Sequence, residues 1–201
     1  MNIKPTLLVD YEERFIWLDG GINPGVAYHF KKMLNKLNRL KMGPIIFYIS
    51  GVGGDAHSGF SIMNEIAASD SPVAIVAHGI VYSGCFTITQ AGARRLALAG
   101  TKFIFHPAEL QFKENSGHQY QLTQGQLVDS LERLRLIDSM QLSWFIKRGR
   151  PTKQVFDMFR AGTTISLPKA IKLKLIDGYY KKDDFLKDRK MVKRLISKMA
   201  K

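Results

Sequence analysis

The sequence predicts an α/β domain with a mainly parallel core sheet, and two kinds of pattern support this fold class. Three short apolar runs bounded by turn residues are typical of buried strands, at 45–49, 73–77 and 102–105. Segments with helical spacing lie between them, and strand–helix–strand alternation of this length is typical of parallel sheets. The 201 residues, 45% of them hydrophobic, suit one domain with a sizeable core.

Local end signals place the other elements. Asn23 followed by Pro24 predicts the start of a helix, which Gly43 and Pro44 bring to an end. The remaining predicted elements are a strand at 14–18, a turn at 19–23, helices at about 58–68, 152–160 and 167–173, and a last strand at 175–180.

The longest predicted helix spans 123–147. Thr123 and Gln126 form a T-x-x-Q capping box at its start, and Gly149 and Pro151 lie just beyond its end. Its apolar residues recur at near-helical spacing over more than a narrow stripe. We therefore expect this helix to bury part of its surface against another subunit.

Composition excludes several classes of protein. A single cysteine, Cys85, cannot form an internal disulfide and fits a reducing compartment. No apolar run approaches the roughly 20 residues that a membrane span needs, and the first fifteen residues lack a signal-peptide core. No zinc-like spacing, Walker A loop or dinucleotide fingerprint occurs. We expect a cytoplasmic protein without metal or cofactor.

The net charge of +13 is concentrated partly in the tail 181–201, which holds nine Lys or Arg against three Asp. Apolar residues spaced by three and four indicate an amphipathic basic helix. We favour a solvated terminal helix packed by one face; a partner, a membrane surface or nucleic acid are the alternatives. Nucleic-acid binding is not favoured, because the charge lacks a recognisable reading motif.

The stretch VAIVAHGIVYSGC, residues 73–85, carries the first candidate for chemistry. Ser83 lies where the predicted strand gives way to a helix that starts near Phe86. There a side chain is exposed at the end of a sheet, beside the free N–H groups of a helix start, which suits a nucleophile. A serine N-cap is the more ordinary interpretation of the same position.

A glycine-rich loop at 51–54, Ser83 and His106 each follow a predicted parallel strand. Carboxyl ends of parallel strands share one edge of a sheet, so these residues are expected to converge there. A serine paired with a histidine makes an activated nucleophile, and N–H groups of Gly53 and Gly84 suit an oxyanion. The alternatives are a histidine bonded to backbone and a simple tight turn.

Five segments, in order and register over about residues 12–180, together resemble one family. YISGVGGDAHSG is similar to Y-I-N-S-P-G-G-x-x-x-x-G of the Clp protease proteolytic subunits, and HGIVYSGC to their G-x-A-x-S-M-G-A elbow. AGARRLALAGTKFIFHP resembles their segment ending in the catalytic histidine. ERFIWLDG resembles their first strand, and SLPKAIKLKLID their S-x-x-E-A-x-x-x-G-L-I-D ending.

The resemblance implies a crotonase-like, ClpP-type fold of repeated ββα units and a serine peptidase that acts on proteins or peptides. Ser83 would be the nucleophile, His106 the general base, and the N–H groups of Gly53 and Gly84 the oxyanion hole. The helix 123–147 would be the handle that interlocks two stacked heptameric rings of a homo-oligomer fed by an AAA+ unfoldase. Residues 1–180 would form the catalytic domain and 181–201 a basic tail without a clear counterpart.

The third catalytic residue is not assigned by the resemblance. The family has an Asp four positions before the serine of S-x-x-E-A, and that position here is Gly162. Candidates to orient His106 instead are Asp157, Glu109, Thr163 and Thr164. The elbow reads Ser-Gly-Cys, closer to signal-peptide-peptidase-type relatives, and Val52 replaces the usual proline of the glycine loop.

Weak basal peptidase activity is the resulting prediction, with Cys85 as a rival nucleophile. Two alternatives stay open. One is a catalytically inert Clp-like ring subunit that serves as scaffold or regulator. The other is a crotonase-fold acyl-CoA enzyme, in which the glycines would bind a thioester oxygen.

Overall fold

The computed structural model describes residues 4–40, 43–109, 123–147 and 153–185, together with 188 and 190. Helices and strands alternate along most of the chain. Their bounds, in chain order, are β1 Thr6–Asp10, β2 Phe15–Ile22, α1 Pro24–Leu40, β3 Ile45–Gly54, α2 Ala56–Ala67, β4 Val73–Tyr82, α3 Gly84–Thr89, β5 Arg94–Ala97, β6 Lys102–Ile104, α4 Gln124–Lys147, α5 Lys153–Arg160, β7 Thr164–Ser166, α6 Leu167–Lys172 and β8 Gly178–Tyr179.

The sheet is mainly parallel, as predicted. Its main path runs β1-β2-β3-β4-β5-β8, with every pair parallel except β1 with β2 at one edge. The long strand β4 changes partner along its length: Ala74–Ala77 pair with β5, whereas Ile80–Tyr82 pair with β6. Strand β7 then adds antiparallel to β6. The end of β4 is therefore held by a different strand from its beginning.

Two turn predictions are wrong because glycines here extend strands. The predicted turn at 19–23 belongs largely to β2, and the predicted loop at 51–54 is the end of β3, where Gly21 pairs with Gly53. Close backbone approach explains the glycines: a β-carbon on Gly54, whose φ is +147°, would lie 2.2 Å from the Ile22 carbonyl oxygen. Only glycine fits such a position. Strand β4 likewise continues past Gly79 to Tyr82.

The predicted starts of helices α1 and α4 are confirmed by the hydrogen bonds of their capping side chains. The Asn23 Oδ1 atom accepts a 2.9 Å bond from Val26 N at the start of α1. Thr123 N donates to Gln126 Oε1 at 2.9 Å and Gln126 N to Thr123 Oγ1 at 3.3 Å, which completes the capping box of α4. Strands β1, β5 and β7 were not predicted, and the last strand, β8, is shorter than the 175–180 expected.

The two faces of the sheet bury different clusters. Alternate residues of β3 point to opposite faces: Phe47 joins the main core with the helices, whereas Tyr48 joins a second cluster. Phe185, from the start of the basic tail, is 6% exposed in this second cluster, with its ring 5.4 Å from that of Trp17. The Tyr48 hydroxyl donates to the Asp188 carboxylate. Phe185 and Asp188 thus hold the start of the tail against the sheet. The other residues of the predicted amphipathic helix, 186, 187, 189 and 191–201, lie outside the described part.

Helix α4 is anchored by one end and exposed along much of its length. Phe145 is buried against Phe86 and Phe105 of the main core. Large apolar side chains elsewhere on the helix are open to solvent, namely Leu127, Val128, Leu131, Leu136, Met140 and Ile146. None of the helices in the described residues is both long enough and apolar enough to cross a membrane.

We predict that Phe185→Ala lowers the free energy of unfolding by about 3–4 kcal/mol, because it removes a buried ring and leaves a cavity over the sheet. Urea unfolding at fixed protein concentration measures this. Trp17 emission should also shift to longer wavelength as water reaches its ring. Tyr28→Ala, on the exposed face of α1, is the control and should change stability by less than about 1 kcal/mol. Equal unfolding midpoints for both variants would contradict the packing of the tail.

Candidate active site

Ser83 lies at a strained junction between β4 and α3. Its φ of 52° and ψ of −127° place a non-glycine residue in a rarely occupied region. Ser83 N donates to the Ile104 carbonyl at 2.7 Å, and its own carbonyl accepts from Phe86 N and Thr87 N. The side chain makes no capping hydrogen bond. Ser83 thus occupies the N-cap position of α3, as the alternative interpretation expected, but its hydroxyl does not cap the helix.

Gly53 packs directly against that junction. A β-carbon on Gly53, whose φ is +93°, would lie 2.7 Å from Ser83 Cβ and 2.8 Å from Gly84 N. Contacts this short exclude every side chain. The end of β3 is thereby brought against the first peptide of α3. This is the predicted approach of the glycine segment 51–54 to Ser83.

Cys85 is buried beneath this contact and is unsuited to act as the nucleophile. Burial raises the pKa of its thiol to about 12, although a hydrogen bond from the Gly53 backbone acts in the opposite direction. The thiol therefore stays protonated near neutral pH. The Gly53 N–H donates to this sulfur, so it would have to give up or share that hydrogen bond in order to stabilise an oxyanion.

His106 follows β6 and has a defined tautomer. Its Nδ1 atom lies 2.7 Å from the Pro107 carbonyl oxygen and 3.4 Å from Glu109 Oε1. A carbonyl oxygen only accepts, so Nδ1 carries the proton and Nε2 is left as an acceptor. Among the described contacts, no hydrogen bond joins Ser83 to His106. Such bonds are often long before substrate binds.

A cleft of about 630 Å³ brings the predicted site residues together. It contains the glycine segment, the serine and the histidine, which confirms their expected convergence at the carboxyl ends of parallel strands. Its wall is mixed: Thr87 and Gln141 are polar, Phe60, Met63 and Ile137 are apolar, and Asp55, His57 and Glu109 can carry charge. The arrangement brings a serine, a histidine and the glycine backbone of two chain segments to one cleft.

Gly162 lies beside His106, where the family's acid was expected. A β-carbon on Gly162 would be 3.6 Å from His106 Cβ, an ordinary van der Waals distance, although the φ of +59° strains a side chain at this position. Asp157 instead binds Lys153 Nζ at 2.9 Å on an exposed helix face and is not part of the cleft wall. Thr163 N donates to Met158 O, and Thr164 pairs with Ile104 in the sheet.

Asp138, on helix α4, was missed by the sequence analysis. Its Oδ1 atom accepts a 2.7 Å bond from Ala108 N, two residues after His106. Burial raises the pKa of the Asp138 carboxyl, while the Ala108 N–H and the charge of His106 lower it. In the sequence, Asp138 is one of several acidic residues on an amphipathic helix. Only the fold shows that it contacts the loop after β6 that carries His106.

In the part of the chain that the structure describes, no group of three or more His, Cys, Asp or Glu side chains is placed so that it could hold one metal ion.

Comparisons with known proteins all point to the same family. The Clp protease family model matches residues 6–135. An ATP-dependent Clp protease proteolytic subunit from Carsonella ruddii is 26% identical over 165 residues, which cover 79% of this chain and 80% of that protein. A proteolytic subunit 2 from Gluconobacter oxydans is 32% identical over 100 residues, 48% of this chain and 45% of that protein.

A solved structure extends the likeness to the fold. A ClpP1 mutant from Listeria monocytogenes superposes with a TM-score of 0.74 over 87% of this chain and 95% of its own, at 19% identity. This confirms the predicted crotonase-like, ClpP-type α/β fold. Because the family model spans well over half of its length, the chain belongs to the Clp protease family.

Proposed function

We propose that this protein is a serine peptidase in which Ser83 is the nucleophile and His106 the general base. The observation that carries the proposal is the strained Ser83 junction, which leaves the hydroxyl without a capping bond in the cleft that also holds His106. Strain of this kind concentrates at functional sites. The relatives named as proteolytic subunits support peptide bonds as the target.

The proposed reaction assigns one step to each of these groups. A peptide carbonyl in the cleft is attacked by Ser83 Oγ, whose proton passes to His106 Nε2. The oxyanion that forms is stabilised by backbone N–H groups at Gly53 and Gly84, the former after giving up its bond to Cys85. His106 then protonates the leaving amine, and water hydrolyses the acyl-enzyme by the reverse sequence.

The histidine works with a weaker partner than the family's buried Asp. Its Nδ1–H is held by the Pro107 carbonyl, and the carboxylate nearest to it in the described contacts is that of Glu109, which is 72% exposed. A solvated carboxylate stabilises an imidazolium less than a buried one. Since removing the acid of a full triad costs about four decades in turnover, we propose weak basal activity.

Assembly into rings is the second part of the proposal. Helix α4 exposes a row of large apolar side chains that a lone subunit would not leave in water. A second copy of the chain is the expected cover, in a homo-oligomer of stacked heptameric rings. An AAA+ unfoldase that delivers protein substrates, and a cytoplasmic location, complete the proposal.

An inert ring subunit is the second candidate, and the glycine at position 162 is the observation that favours it. In that case the same cleft would bind peptides without cleaving them. Both candidates share the fold and the assembly, so only a test of the serine separates them.

Ser83→Ala should abolish hydrolysis of short fluorogenic peptides and labelling by a fluorophosphonate, because both need the hydroxyl. Cys85→Ala is the matched control: the buried thiol takes no part, so activity should stay within a few-fold of wild type. Mass spectrometry of the labelled peptide identifies the modified residue. Wild-type protein that is neither labelled nor active would favour the inert subunit. Loss of activity in Cys85→Ala alone would make the serine assignment wrong.

Leu131→Lys combined with Leu136→Lys should split the assembly into smaller species, because both side chains are more than half exposed on α4 and a charge there cannot be buried in an interface. Sedimentation velocity measures the change. Leu40→Lys, at an exposed position on α1, is the control and should leave the particle intact. A wild-type monomer at micromolar concentration would be incompatible with assembly through α4.

A further inference from the structure

We propose that Asp138 of helix α4 is a positioning residue for His106, holding the histidine loop and supplying negative charge near the ring. The inference rests on the proposed function, since it assigns a role in the same reaction. It concerns a residue that the family resemblance did not point to and that lies on a different element from the expected acid position at Gly162.

The first step is geometric. Residues 106–109 form a short segment after β6, and its Ala108 N–H donates to Asp138 Oδ1 at 2.7 Å. This bond ties the segment that carries both His106 and Glu109 to the middle of the long helix α4. Ile137 and Gln141, which flank Asp138 on that helix, line the same cleft as Ser83. A shift of the segment would therefore move the ring relative to the serine.

The second step is electrostatic. Asp138 is only partly exposed, and its interaction with His106 favours the charged carboxylate against the penalty of burial. Attraction between the two groups is mutual, so the carboxylate also favours the protonated ring that forms when His106 accepts the serine proton. Asp138 thus acts on the state that the reaction creates, through space and through the loop, without touching the substrate.

Other charged groups lie near the His106 ring, and a test has to distinguish their effect from that of Asp138. Glu109 lies 3.4 Å from Nδ1, and Asp55 and His57, at the start of α2, line the same cleft. Arg135 lies one turn from Asp138 on its own helix. Among the three carboxylates, Asp138 is the one that also binds the backbone of the histidine segment. A variant that removes its charge but keeps its acceptor atom isolates the electrostatic part.

Asp138→Asn is that variant, because its amide oxygen still accepts from Ala108 N. We expect kcat for a fluorogenic peptide to fall about tenfold to a hundredfold with KM changed less than about twofold, since the lost charge acts mainly in the transition state. Asp138→Glu, which keeps the charge, should recover part of kcat.

Asp70→Asn, at an exposed turn, removes the same charge far from the cleft and should leave both kcat and KM unchanged. Sedimentation of each variant shows whether assembly is intact. An active wild type whose kcat Asp138→Asn leaves unchanged overturns this inference alone. A purely structural role predicts that result, because Asn keeps the hydrogen bond. Wild-type protein without hydrolysis or labelling of Ser83 overturns the proposed function and this inference with it.

Discussion

The approach of the Gly53 backbone to the Ser83–Gly84 peptide is the contact on which the rest of the site depends. It requires glycine at position 53, since any β-carbon would overlap Ser83 Cβ. It is possible because β3 and β4 are parallel neighbours that end at the same edge of the sheet. The β6 strand, paired with the end of β4, then delivers His106 to that edge, and its Ile104 carbonyl fixes Ser83 N.

The sheet's pairing pattern explains how the segment before Ser83 is held in place. Strand β4 leaves β5 and pairs with β6 before Ser83, so the strained residue follows a segment held by hydrogen bonds on both sides. Beneath it, Cys85 and Phe86 are fully buried and give α3 a fixed base. A strained conformation persists only when its surroundings determine it in this way. Peptidase chemistry at Ser83, as proposed, would use that fixed position.

Much of this could be predicted from the sequence, and the failures have physical causes. Short apolar runs and capping residues such as Asn23 and Thr123 are local signals, so they predict strand cores and helix starts. The convergence of Ser83 and His106 is predictable because both follow parallel strands. The sequence predicts a loop at 51–54, because a glycine that allows two strands to approach closely cannot be told from a glycine that allows a turn. Asp138 could not be found, because its partner Ala108 is brought to it only by tertiary packing.

The most direct test of the central claim, a Ser83–His106 site that lacks its usual acid at position 162, compares kcat for Gly162→Asp and Gly162→Asn. Position 162 has a left-handed φ of +59°, which Asp and Asn tolerate better than other side chains, and it borders His106. We predict that Asp raises kcat at least about tenfold with little change in KM, and that Asn, which has the same shape but no charge, does not. Equal rates for wild type and both variants would contradict it.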